Sequence, residues 1–458
     1  MTPSDVAQQS VTVVGGARSG RAVATLLAQA DARVFLTEHG PPPNGLADAM
    51  ETYNIPYEVN GHTDRALQTD LIVVSPGVPT TAPLIQTALD QGLPVVSEIE
   101  VASWFCEAPI IAITGTNGKT TTTGLVAHVL GKARSHDPDR RVIVAGNVGV
   151  AFSEHAATAG PNDVVVLEVS SFQLDHVDTF RPRVSILLNI TPDHLNRYGD
   201  DVEAYAASKA RIMAQQAAGD TIVYNADDVR TRRAITSQAS AEASVGAMSQ
   251  QRAVVPGIYQ REEALWIHTS SLDEALMSIH EVSLPGPHNR YNAMAAALAA
   301  HAMEAPLDAI RTGLSTFEAV PHRLEPVRTV DNVCFVNDSK ATNVDALRYA
   351  LQSFNTPIVL IAGGRDKGND YEPLQPLVRD RVRTVIAIGE SANTVHSQLG
   401  VHAAEQCKAN TMEDAIQAAR ACAYPGDVVL LSPACSSFDM YTNYKERGDV
   451  FRRLVQAI

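Results

Sequence analysis

The sequence predicts an α/β protein of three domains, each built on a mostly parallel sheet. Three observations predict it. Short apolar, β-branched runs alternate with Ala- and Leu-rich helical stretches throughout, as expected for strands joined by helical crossovers. At roughly 100–200 residues per domain, the 458 residues give two to four domains, with three the central value. Two strand-like runs end in glycine turns that open into helical stretches, the arrangement found at the ligand-binding ends of doubly wound sheets.

The first block, residues 1–106, has strands at Val11–Val14, Arg33–Leu36, Leu71–Ser75 and Val95–Val96. The second, 107–320, has strands at Ile110–Thr114, Val142–Ala145, Val164–Val169, Val184–Asn189 and Thr221–Asn225. From about Ser237 to Ser283 the pattern is less regular, with hairpin strands near Trp266. A helix from Asn289 to about Ala302 closes this block. The third block, 321–458, has strands at Val333–Val336, Ile358–Ala362, Val385–Ile388 and Val428–Ser432.

Hydrophobic residues make up 45% of the chain, enough to bury a core in each block. The 51 acids against 36 bases give −15, the wrong sign for a global nucleic-acid binder. An anionic substrate must then be held locally, by helix N-termini, a few cations and metal ions. Five scattered cysteines show no zinc-type pairing and fit a reducing compartment. No run approaches a membrane span. The polar stretch Met1–Ser10 runs straight into a strand and does not read as a signal peptide. These features imply a cytoplasmic enzyme.

The strongest local signal is Ile110-Ile111-Ala112-Ile113-Thr114-Gly115-Thr116-Asn117-Gly118-Lys119-Thr120-Thr121. A buried-strand run ends in a glycine turn, and a helical stretch follows. Glycines let backbone N–H groups approach phosphates, and the helix N-terminus adds partial positive charge. Lys119 would reach the β/γ-phosphates and the Thr120 hydroxyl would ligate Mg²⁺. Ile113 stands where the usual longer motif has its first glycine. The N-terminal turn Gly15-Gly16-Ala17-Arg18-Ser19-Gly20 carries Ala17 where a dinucleotide fingerprint has glycine. It reads either as a tight turn without ligand or as a diphosphate site, with Glu38 downstream for a ribose.

Carboxylates and cations follow. Glu168 ends an apolar strand and reads as a metal ligand or as a salt-bridged structural acid. His194, after Thr191-Pro192-Asp193, is a second-metal ligand or an ordinary loop histidine. Because imidazole is not a favoured Mg²⁺ ligand, such a site would also accept Mn²⁺. Lys209, on a helical stretch, reads by itself as a solvated surface lysine.

Together these runs resemble the Mur ligase family. The resemblance rests on Gly115–Thr120, on Asn147 within Ala145-Gly146-Asn147-Val148-Gly149, and on Glu168-Val169-Ser170-Ser171-Phe172-Gln173-Leu174. It extends to Thr191-Pro192-Asp193-His194-Leu195, Lys209, His288–Ala293 and Pro321–Glu325. In the third block, Asn337-Asp338-Ser339-Lys340-Ala341-Thr342-Asn343, Leu431–Asp439 and Asn443-Tyr444 with Glu446-Arg447-Gly448 are similar to the D-glutamate-adding branch.

The resemblance implies a Rossmann-like N-terminal domain that binds a UDP-substrate. A central P-loop ATPase-type domain and a Rossmann-like C-terminal domain for the incoming amino acid would follow. It implies ATP-dependent joining of D-glutamate to UDP-N-acetylmuramoyl-L-alanine by a monomer, through an acyl phosphate. Gly115, Thr116, Asn117, Gly118, Lys119, Thr120, Thr121, Asn289, Asn292, Arg323, Asp338 and Lys340 would bind ATP. Thr120, Glu168, His194 and a carbamylated Lys209 would hold metal. Lys119, Glu168, His194 and Lys209 would be catalytic. Arg18, Ser19, Glu38 and Gly77 would line the UDP pocket, and Asn147 and His194 would approach the muramoyl-alanine end. Thr342, Lys367, Ser437 and Phe438 would hold D-glutamate. A nucleotide-binding switch that has lost ligation, a sister ligase and a nicotinamide-dependent oxidoreductase stand as competing readings. Amino-acid-dependent ADP release separates them.

Overall fold

A computed structural model describes residues 2–134, 140–147, 149–270, 272–318, 321–354, 356–366 and 368–458. The chain forms two compact units. One comprises Met1–Val282 with Tyr291–Thr316, the other Ser283–Arg290 with Phe317–Ile458.

The first unit carries two sheets. In the first, β1 (Ser10–Val14), β2 (Arg33–Thr37), β3 (Tyr57–Glu58), β4 (Leu71–Val74) and β5 (Val95–Ser97) pair in parallel in the order β3-β2-β1-β4-β5. Val11 and Val13 pack into one core cluster and Val14 into another. Burial on both faces is why β1 reads as an unbroken β-branched run from Val11 to Val14. The helix Arg18–Gln29 buries Val23, Ala24, Leu26 and Leu27, spaced to lie on one face.

The second sheet contains β6 (Ile110–Thr114), β7 (Val142–Gly146), β8 (Val164–Glu168), β9 (Val184–Leu187) and β10 (Thr221–Asn225). It continues through β11 (Ser244–Ser249), β12 (Gly257–Arg261), β13 (Ala264–His268) and β14 (Asp273–Ser278). The order is β14-β13-β12-β11-β10-β9-β6-β8-β7, parallel from β7 to β12 and antiparallel at β13 and β14. The chain leaves β6 toward β7 and β8, then crosses to β9 on the other side. Ligand crevices form at the carboxyl ends of strands beside such a reversal. Here those ends deliver Gly115, Glu168 and the loop beginning at Leu188.

In the second unit, β15 (Glu325–Val330), β16 (Val333–Asn337), β17 (Ile358–Gly363), β18 (Val382–Ile388), β19 (Glu405–Ala409) and β20 (Val428–Leu431) form the order β15-β16-β20-β17-β18-β19. Only the β15–β16 pair is antiparallel among these strands.

In the segment 237–283 the hairpin expected near Trp266 is present, β12 pairing antiparallel with β13, and β11 and β14, which were not expected, flank it. Strands β3, β15 and β19 were not expected either. Most of these strands lie at or near a sheet edge and alternate exposed polar residues with few apolar ones. Pairing with a neighbour, rather than propensity, makes them strands.

Candidate active site

Residues 115–118 join β6 to the helix Lys119–Ala133. Gly118 sits at φ 87°, and a Cβ there would lie 2.6 Å from Asn292 Oδ1. Both the backbone angle and the space therefore demand glycine. The turn is tied to the loop after β9. Thr116 N donates to Asn189 O at 2.9 Å. Asn117 N donates to Asn189 Oδ1 at 2.8 Å, and Asn189 Nδ2 returns a bond to Asn117 O at 3.0 Å. Lys119 Nζ curls back to donate to Gly115 O and Thr116 O, each at 2.8 Å. Thr121 and Asn292 are buried, and Thr122 Oγ1 donates to Asn292 Oδ1 at 3.1 Å.

Glu168 ends β8 and is 2% exposed. It accepts from Thr120 Oγ1 at 2.7 Å and from Asn147 Nδ2 at 2.9 Å. The carboxylate thus faces the first turn of the helix that begins at Lys119. Lys209 lies on the helix Val202–Ala210 but is 1% exposed, which corrects its reading as a solvated surface residue. Its Nζ donates to Gly115 O at 3.0 Å and lies over the Tyr205 ring. Burial, and then the Lys119 ammonium, push its pKa well below the usual lysine value, against the pull of Asp193, Asp175 and Glu168. His194 takes a left-handed backbone at φ 54°, leaves its side chain 43% exposed and packs edge-on against Phe172. Among the described residues no three His, Cys, Asp or Glu side chains gather into a metal-binding group. The adjacent donors are a hydroxyl and one carboxylate.

A cavity of about 1170 Å³ opens beside the glycine turn that follows β1. Arg18, Ser19, Glu38, Gly77 and Asn147 all line it. Glu38 is fixed by backbone N–H groups, Gly16 N at 2.7 Å and Gly40 N at 3.0 Å. Arg18 donates to Gly149 O. The sequence reading missed His39, His62 and Gln173, which also line the cavity. His39 and His62 follow the carboxyl ends of β2 and β3, so strand order was the signal that would have found them.

In the second unit, Asp338, Lys340 and Thr342 follow β16, and Ser437 and Phe438 follow β20. Asp338 is buried, accepting from Ser432 Oγ at 2.9 Å and Leu324 N at 3.2 Å. Burial raises its pKa to about 6 despite the opposing pull of Arg323. Burial, reinforced by Arg323, lowers His288 to about 3. Asn289 is buried and donates to Pro285 O at 2.7 Å. Lys340 Nζ lies 5.5 Å from the Tyr444 ring centre. Thr342 is half-buried, Ser437 is buried and Phe438 is 63% exposed. Lys367 lies outside the described residues.

Along its whole length the chain is 58% identical, over 460 residues and 100% of both proteins, to the UDP-N-acetylmuramoylalanine–D-glutamate ligase of Salinibacter ruber (strain DSM 13855 / M31). The chain belongs to the Mur ligase family. Its parts match the Mur ligase MurD-like N-terminal domain at residues 9–97, the Mur ligase middle domain at 113–300 and the Mur ligase glutamate ligase domain at 322–435. The corresponding ligase of Chlorobaculum parvum (strain DSM 263 / NCIMB 8327) is 42% identical over 475 residues, covering 100% of this chain and 99% of that one. The Mur ligase fold is shared with the crystal structure of the UDP-N-acetylmuramate–alanine ligase of Thermotoga maritima, at TM-score 0.59 and 20% identity, covering 98% of this chain and 99% of that one.

Proposed function

We infer that this chain joins D-glutamate to the L-alanine carboxylate of UDP-N-acetylmuramoyl-L-alanine with consumption of ATP, in peptidoglycan precursor synthesis. One observation carries the reading. A buried carboxylate, Glu168, meets the Thr120 hydroxyl at the N-terminus of the helix that Lys119 opens, in a chain 58% identical to a ligase named for this reaction.

The parts are assigned as 1–106 for the UDP-substrate, 107–320 for ATP and 321–458 for the amino acid. Arg18, Ser19, Glu38 and Gly77 hold the UDP moiety. Asn147 and His194 face the alanyl end. The loop from Gly115 to Thr121 grips the phosphates, helped by Asn292. Asn289, Arg323, Asp338 and Lys340 contact the nucleotide. Thr342, Lys367, Ser437 and Phe438 hold D-glutamate.

The hydroxyl–carboxylate pair of Thr120 and Glu168 is a hard-oxygen donor set that fits Mg²⁺. Bound there, Mg²⁺ would offset charge on the phosphoryl oxygens. His194 and a carbamylated Lys209 complete the proposed ligands, and the imidazole makes room for Mn²⁺. Burial favours the neutral amine of Lys209, the form that adds to CO₂ with release of a proton, and the resulting carbamate would supply the anionic oxygens.

A carboxylate is a poor electrophile and needs activation. An alanine carboxylate oxygen attacks the γ-phosphorus, the bond to the β–γ bridging oxygen breaks, and ADP leaves with that electron pair. Lys119 and the backbone N–H groups at the helix start orient the transfer and offset its charge. The neutral amine of D-glutamate adds to the acyl carbon of the resulting phosphate anhydride. The tetrahedral adduct loses a proton from nitrogen and expels phosphate, leaving the amide. The enzyme works as a cytoplasmic monomer. Among the described residues no helix is long and apolar enough to cross a membrane.

The test is phosphate release with ATP, Mg²⁺ and UDP-N-acetylmuramoyl-L-alanine, supplying D-glutamate, L-glutamate, D-alanine, L-lysine or meso-diaminopimelate in parallel. Release with D-glutamate alone, and a product heavier by one glutamyl residue, is expected. Release with another amino acid would overturn the assignment of Thr342, Lys367, Ser437 and Phe438.

A further inference from the structure

Arg447, within the run Glu446-Arg447-Gly448, has no role in the reading so far. It lies on the helix Tyr444–Gln456 and is 3% exposed. Its guanidinium sits where three loops of the second unit meet. Nε donates to Ser339 Oγ at 3.0 Å, and Nη2 donates to Ser339 O at 2.8 Å and to Cys435 O at 3.1 Å. The third loop, after β17, comes so close that a Cβ on Gly364 would lie 3.2 Å from Nη1. The same loops carry the residues assigned to the nucleotide and amino acid: Asp338 to Thr342, and Ser437 with Phe438.

Two features give this arginine more than a clamp's part. No carboxylate lies within 4.0 Å of it among the described residues. Nη1 is buried and has no hydrogen-bond partner. Asp439 and Asp338 act on it only at a distance. A buried cation without an adjacent counter-charge is costly, which makes one beside a proposed anion subsite a functional candidate. Burial lowers its pKa only to about 10, so it stays charged at neutral pH.

We propose that Arg447 is a positioning residue that holds these three loops in register and, through its uncompensated charge, biases the amino-acid subsite toward a substrate with two carboxylates. The field reaches the ligand from behind the loops, since Nη1 is closed to direct contact. This rests on the reading that the second unit receives D-glutamate.

The test compares Arg447→Met, Arg447→Lys and Ser339→Ala with the wild-type chain, by steady-state kinetics with each substrate varied in turn. Loss of the charge should raise the KM for D-glutamate about tenfold or more. The KM for UDP-N-acetylmuramoyl-L-alanine should stay within about twofold, because its proposed site lies in the other unit. Arg447→Lys should recover most of the D-glutamate affinity. Ser339→Ala, which loosens the clamp and keeps the charge, should give a smaller rise. If Arg447→Met does not yield folded protein, Lys and Ala decide. A D-glutamate KM lost in Lys as in Met, or lost more in Ser339→Ala than in Lys, would overturn the role of the charge. An unchanged D-glutamate KM in every variant would overturn the proposal whole. If the wild-type chain shows no D-glutamate dependence, the functional reading itself fails first.

Discussion

Glu168→Gln separates what a buried carboxylate does for stability from what it does for chemistry. Glu168 is 2% exposed, and no cationic nitrogen lies within 4.0 Å of it among the described residues. Its hydrogen bonds come from Thr120 Oγ1 at 2.7 Å and Asn147 Nδ2 at 2.9 Å. Glutamine has the same shape. Its oxygen can accept from Asn147, and its amide can donate to the Thr120 oxygen once that hydroxyl turns. Two charge-assisted bonds become ordinary ones, a loss of about 1 kcal/mol each. Against this, an uncompensated buried charge disappears, a gain of comparable size. The metal-free variant should therefore melt within about 4 °C of the parent, or above it. The reaction should suffer far more. With the charge that fits Mg²⁺ gone, D-glutamate-dependent phosphate release should fall about 10²–10³-fold, the scale of losing one preorganised electrostatic contact. Thermal melting without Mg²⁺ and phosphate release with it read the two halves separately. A variant that melts more than about 8 °C lower yet keeps over a tenth of the activity would refute the reasoning, because Glu168 would then be a structural acid.

Other outcomes follow from the same geometry. Gly118→Ala forces an L-residue to φ 87° and pushes Asn292 Oδ1 off its bond to Thr122. At about 1–2 kcal/mol for the backbone and about 1 for the bond, it should lower the melting temperature by several degrees and raise the KM for ATP. Glu38→Gln leaves one accepting oxygen where Gly16 N and Gly40 N now have two. Loss of one bond, about 1–2 kcal/mol, should raise the KM for the UDP-substrate several-fold with that for ATP unchanged. Asp338 titrates at about 6 when folded and 3.8 in the reference state. Between these values the folded protein holds the extra proton, so its contribution to stability falls as pH rises from about 4 to 6 and is flat above. Asp338→Asn should therefore melt higher than the parent at pH 7.5 without ligands, the gap closing below about pH 4. For His288 the sign reverses. Its folded pKa of about 3 lies below the reference 6.5, so its contribution is lost as pH falls through that window. His288→Gln should relieve part of the acid sensitivity, checked by melting at pH 5 against pH 8.

The legible parts of the site were the local ones. Strand, glycine turn, Lys119 and Thr120 follow one another in the chain, so their order alone placed the phosphate loop at a helix start. Glu168 was legible because a carboxylate at the end of an all-apolar strand is expensive. Lys209 was not. The helix around it has no strong apolar stripe, and its burial depends on Gly115, which approaches from a distant part of the chain, as well as on Tyr205 one turn back on the same helix. His39 and His62 reach the cavity only because β2 lies beside β1 and β3 beside β2, a fact of strand order that no local pattern records. Strand β14 was missed for a related reason: its exposed, polar start becomes sheet only when paired. The three-way meeting at Arg447 was invisible for the same cause, since Ser339, Gly364 and Cys435 are brought together by the third sheet alone.

The reciprocal bonds between Asn117 and Asn189 carry a consequence for nucleotide choice. The phosphate loop is cross-braced by a side-chain amide that imitates a rung of β-ladder, so its shape is set when the protein folds. Thr116 N and Asn117 N are taken up by Asn189, so in the proposed site the N–H groups left for a phosphate chain are those nearer the helix start, and they are blind to the base attached to it. Preference for adenine over guanine is then a separate property, written on other residues and free to change without touching the catalytic loop. Nucleotide analogues altered only in the base should lose binding without losing the geometry of phosphoryl transfer, whereas analogues altered in the phosphates meet a rigid template that cannot adapt to them.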